Sequence, residues 1–103
     1  MIPEKLLICG HEVNVRIDRL DDIWGEARPG QAEIVLADNL SPDIQLQTLI
    51  HEILHFADAF YDIFDEKEGE RRIQATSAFL HEILTRNQEL IKAFLKKESD
   101  VGE

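Results

Sequence analysis

The tetrapeptide His-Glu-Ile-Leu occurs twice in this chain, at 51–54 and again at 81–84. The first copy is followed by His55 and the second by Thr85. On a helix each residue turns about 100°, so His51 and His55 stand about 40° apart and one turn apart along the axis. Both imidazoles can therefore reach one metal ion. Glu52, beside them, can reach a water on that ion without being a ligand. This is the H-E-x-x-H arrangement, with two zinc ligands and a general base. The second copy has Thr85 where the second imidazole would be, and it reads as ordinary amphipathic helix.

A tetrahedral catalytic zinc needs a third protein ligand and one open position. One known spacing places that ligand six residues after the second histidine, behind a glycine at the third. Tyr61 and Asp58 occupy those places here, so that spacing fails, and Asp62 is one residue off. The remaining carboxylates are Glu66, Glu68 and Glu70. Glu70 opens a helical segment in which Gln74, Ser77 and His81 follow at i+4, i+7 and i+11. Such a polar line faces either solvent or something polar, such as a metal cleft. Asp58 lies on the histidine stripe one turn past His55, as an outer partner of the site or as a solvated carboxylate.

Other elements must hold these residues. Leu6 to Cys9 is a short apolar run, and Gly10-His11 reads as a tight turn. Val13, Val15 and Ile17 then alternate with polar residues, which is the period of a half-buried strand. Together they predict a hairpin. A further strand is expected around Ile23 and Trp24 within Asp21 to Glu26. Arg28-Pro29-Gly30 marks a turn, and Ala32 to Ala37 is the most apolar strand. Ser41-Pro42 supplies a cap and a first-turn proline. From there Leu46, Leu49, Ile50, Ile53, Leu54 and Ala57 keep helical spacing to about Phe60. A second helix is expected from about Glu70 to Arg86, with Ile73, Thr76, Leu80, Ile83 and Leu84 as its apolar stripe. A third should run from Asn87 to about Lys97, followed by a frayed tail at 98–103.

The 103 residues suffice for one domain, spanning 1–103, and not for two. The hydrophobic fraction of 44% is that of a soluble globular chain, and no apolar run approaches the length of a membrane span. MIPEKLLICG has one lysine, a short apolar run and no small-residue cleavage site, a poor match to a secretory leader. Cys9, the single cysteine, is expected to be a small buried hydrophobe in a reducing, cytoplasmic setting. Eleven basic against twenty-one acidic residues leave a formal charge of −10. That excludes a phosphate-binding surface and hence nucleic acid as a partner. The acid excess reads as a solubility device.

The order strand, H-E-x-x-H helix, following helix with a glutamate resembles the gluzincins. It is most similar to the minimal gluzincins and to short phage-type zincin-like proteins, and more distantly to the ImmA/IrrE-type peptidases that act on phage repressors. The likeness covers roughly Lys5 to Leu84. It is strongest at Thr48 to His55 and from Glu70 to Leu80. The resemblance implies an α+β zincin-like domain: an N-terminal sheet of three to four strands packed on the motif helix and a ligand helix, plus a C-terminal helix. It implies that Glu70 joins His51 and His55 around one Zn2+. The chain departs from the larger members at Gln74, where they carry an aspartate that orients a histidine; Gln74 still accepts a hydrogen bond but gives no carboxylate support. The larger members also draw a transition-state donor from a further subdomain. Tyr61 and His81 are the substitutes this chain offers.

The expected activity is peptide hydrolysis by a zinc-activated water, with Glu52 taking the water proton and returning it to the leaving amine. The segment Ala32 to Ala37 is the expected cleft edge for an extended peptide. Two alternatives stand beside it. One is a latent, zinc-bearing protein-binding module of phage or prophage type. The other is a metal-free acidic interaction domain.

Overall fold

The computed structural model describes residues 2–64, 67–89, 91–92 and 95. Its elements are strands β1 (Lys5–Ile8), β2 (His11–Asp18), β3 (Gly25–Arg28) and β4 (Glu33–Ala37), then helices α1 (Pro42–Tyr61) and α2 (Gly69–Arg86). A single 3-10 turn, Pro29–Gln31, separates β3 from β4. The result is an α+β fold whose four strands lie in the order β1-β2-β4-β3.

The hairpin forms as its period predicts, with Ile8 opposite His11. The turn itself is Cys9-Gly10, one residue earlier than expected. Both residues have positive φ, 52° and 79°, as a two-residue hairpin loop with the twist of its strands requires. This overturns the expectation for Cys9: it sits at the loop tip and is exposed, because the turn needs its backbone there. Leu7 likewise faces out.

β2 pairs in parallel with β4, setting Val15 beside Ile34 and Ile17 beside Leu36. Val13, Val15, Ile34 and Leu36 point to one face and join Leu49 and Phe56 of α1 in the core. The opposite face of β4 carries Val35, which is fully buried although no helix covers it. Its neighbours in register are Arg16 and Glu26. Arg16 and Arg28 both reach Glu33, at 3.4 and 2.9 Å. Arg16 and Glu26 thus flank Val35 with the stems of charged side chains.

Two strand expectations are corrected. The third strand does not centre on Ile23 and Trp24; it begins at Gly25 and runs through Arg28. Asp22 adopts a left-handed φ of 66°, which turns the chain and leaves Ile23 and Trp24 in the loop before β3. Trp24 still offers its carbonyl to the Ala37 N–H at 2.7 Å. The segment from Ala32 to Ala37 is not an edge. β4 lies between β2 and β3, so β3 is the free edge on that side.

Ser41 caps α1, its Oγ accepting from the Ile44 N–H at 3.4 Å, and Pro42 follows in the first turn. α1 packs on β3, β4 and β1, and α2 packs chiefly on α1. The buried residues of α2 are Gly69, Ile73 and Ser77. Leu84 is exposed and so is not part of a buried stripe, whereas Ile83 beside it is half-buried. Beyond Asn87 the described residues carry helical backbone, with the Ile91 N–H donating to the Asn87 carbonyl at 3.3 Å. The expected end of that third helix and the tail at 98–103 lie outside the described residues. Among the described residues no helix is long and apolar enough to cross a membrane.

Candidate metal centre

α1 presents His51, Glu52 and His55 on its side toward α2 and β3, and the first turn of α2 brings Glu70 opposite them. His51 Nε2 lies 2.8 Å from one carboxylate oxygen of Glu70, and His55 Nε2 lies 3.0 Å from the other. The imidazoles are tilted 58° with centroids 5.0 Å apart. One ligand atom from each residue falls within 4.8 Å of the others. Two imidazole nitrogens and a carboxylate are the donor set of a His2Glu zinc site, in which bonds of about 2.0 to 2.1 Å set ligand atoms roughly 3.3 Å apart. The two histidine–glutamate distances are slightly shorter than that and would open by a fraction of an ångström around an ion. Among the described residues this is the single group of three such side chains so placed. Glu68 is engaged by Arg71 at 2.6 Å, and Glu66 lies outside the described residues.

Glu52 is 6% exposed, buried where α1 meets β3. Burial pushes its carboxyl up to about 7, with Glu70 adding to the shift; the Ala27 N–H, donating to it, pulls the other way. The Ala27 contact follows from the sheet. Trp24 bonds across to Ala37, and antiparallel pairs alternate. Gly25 and Ala27 therefore turn their backbone groups outward, toward α1. A raised carboxyl has a linkage consequence for the metal-free protein. Between about 4.5 and about 7 the folded state holds a proton that the unfolded chain has released, so this group's stabilisation is full at the acid end and is lost as pH rises through 7. Urea midpoints of chelator-treated protein are expected to fall between about pH 5 and about pH 8. The fall should be smaller in Glu52→Gln.

Gly25 is what lets β3 come so close. A Cβ there would stand 2.8 Å from Thr48 Cγ2 and 3.2 Å from both Glu52 Cγ and Oε2. Thr48 is β-branched, buried and unable to swing away. Gly25→Ala is expected to cost about 1–3 kcal/mol, the usual range for overpacking, read as a lower thermal midpoint. It should also displace Glu52 from Ala27. No sequence pattern marked Gly25 or Ala27 as part of the site; a lone glycine ahead of a short polar strand carries no such signal.

These residues open into a cleft of about 490 Å³. His51, Glu52 and Glu70 line it, with Gln74 and Ser77 from α2. The polar line of α2 thus faces the cleft for its first three members. Its fourth, His81, packs against the start of α1. His81 Nε2 is buried and sits 2.9 Å from Asp43 Oδ1, within reach of a charge contact but off line for a hydrogen bond. Tyr61 is not among the lining residues. It lies at the far end of α1 against Cys9, and that hydrogen bond raises its pKa. Asp58 closes α1: its Oδ1 accepts from the Phe64 N–H at 2.8 Å and its carbonyl from the Asp62 N–H at 2.7 Å.

Comparison with protein-family models, with curated proteins and with solved structures returns no match.

Proposed function

We propose that the chain is a minimal zincin-like metallopeptidase of the gluzincin type. The observation that carries this is the meeting of His51, His55 and Glu70 beside a buried carboxylate, Glu52, at the mouth of one cleft. A zinc ion, when bound, supplies Lewis acidity and lowers the pKa of water. The chain's own residues do the rest. His51, His55 and Glu70 hold the ion from two helices. Glu52, buried beside the ligand group, is placed to take and return a proton. The Ala27 N–H fixes the direction in which that carboxylate points. The free edge of β3, in place of the interior strand first expected, offers Gly25's outward backbone groups to an extended peptide. The zincin-like reading of the fold rests on the same order of sheet, motif helix and ligand helix.

The test is cleavage of an unbiased peptide mixture by zinc-loaded protein, followed by mass spectrometry. Products that vanish with chelator and in Glu52→Gln support the reading; zinc-loaded protein that cleaves nothing refutes it.

A second reading is favoured by one observation. Neither Tyr61 nor His81 lines the cleft, so the two side chains expected to steady a transition state are placed elsewhere. A latent, zinc-bearing module that binds a protein without cutting it fits that arrangement, and the same screen separates the two.

A further inference from the structure

We infer that the cleft selects a cationic side chain, Lys or Arg of a polypeptide, with its stem along Ile23 and Trp24 and its head at Asp22. The inference rests on the peptidase reading for where the scissile bond lies, though not for the contact itself. Asp22, Ile23 and Trp24 form one rim of the cleft. Ile23 is 45% and Trp24 60% exposed, two large apolar groups open at the mouth of a site lined by polar residues. Among the described residues no Lys or Arg lines the cleft, whereas Asp22, Glu52 and Glu70 do. A divalent ion would sit among His51, His55 and Glu70, a group that does not include the exposed Asp22 carboxylate. Among the described residues no cation is paired with it; the nearby Arg19 turns to Asp21 at 3.8 Å.

An exposed indole beside a free carboxylate fits a group with an apolar stem and a positive head. An acidic side chain would meet like charge at the rim and across a chain of net charge −10. A purely apolar side chain would use Ile23 and Trp24 but would cover Asp22 without giving it a partner.

Trp24 is the single tryptophan of the chain, so intrinsic fluorescence reads this rim directly and independently of catalysis. The probes are acetylated, amidated alanine pentapeptides with a central Arg, Lys, norleucine or Glu, titrated into native and Asp22→Asn protein, each with and without zinc. The Arg and Lys peptides should change Trp24 emission saturably, with Kd about five- to tenfold below that of norleucine, as one exposed ion pair and one cation–π contact allow. Asp22→Asn should cut that difference to the part the Trp24 contact supplies, about two- to threefold, and leave norleucine binding unchanged. A norleucine peptide that binds as tightly as Arg, a preference that survives undiminished in Asp22→Asn, or no emission change with any peptide overturns the proposal. Basic preference in a protein that never binds zinc would refute the metallopeptidase reading alone. Zinc-dependent cleavage without the preference would refute this inference alone.

Discussion

Glu52→Gln protein is expected to bind zinc as the native chain does and to hydrolyse peptides roughly a hundred- to ten-thousandfold more slowly, the usual contribution of a positioned proton acceptor. The structure makes the substitution a clean one. Glu52 is buried and accepts the Ala27 N–H, and a glutamine carbonyl of nearly the same shape can accept that bond. The amide replaces a carboxyl that burial already holds half-protonated near 7, so little electrostatic stability is lost. What disappears is the ability to take a proton. The check is paired: zinc per chain by atomic absorption, and initial rates on whichever peptide the screen identifies. A variant that still cleaves at the native rate would remove Glu52 from the chemistry. A variant that loses zinc as well would make its role structural.

Glu70→Ala should have the opposite signature: a folded protein that no longer retains zinc. Glu70 is 58% exposed along its side chain and meets His51 and His55, so its removal costs the fold little. It is the carboxylate of the three-residue group that could hold a metal ion. Loss of an outer partner of a metal site typically costs about 10–100-fold in affinity, and loss of a ligand should exceed that. After dialysis against a mild chelator, about one zinc per chain is expected in native protein and far less in the variant. Equal retention would transfer the third position to another acid. No zinc in either, after reconstitution, would leave the first His-Glu-Ile-Leu copy as ordinary as the second.

What was legible in the sequence was what local spacing encodes. The alternation at Val13, Val15 and Ile17 specified a half-buried strand, Ser41-Pro42 the start of α1, and the four-residue step from His51 to His55 one helical face. The polar line from Glu70 through Gln74 and Ser77 reported a cleft-facing side of α2. Features set by tertiary pairing were not legible. β3 has the composition Gly-Glu-Ala-Arg and is a strand because β4 pairs with it; Ile23 and Trp24, better strand formers, stay in the loop because Asp22 turns the chain. That β4 is interior depends on β2 pairing in parallel across an intervening strand. The left-handed turn that exposes Cys9, and the close approach that demands Gly25, are properties of backbone path and not of residue preference.

The packing of α2 gives the site a mechanical meaning. α2 rests chiefly on α1, held by Ile73 and Ser77 and by the His81–Asp43 contact, while the sheet packs chiefly on α1. An ion gripped by His51 and His55 on one helix and Glu70 on the other would be a reversible rivet between them. Docking of α2 would then be linked by mass action to the free concentration of the ion. The same atoms proposed to make a reaction site would meter how much of the chain is assembled well enough to use it.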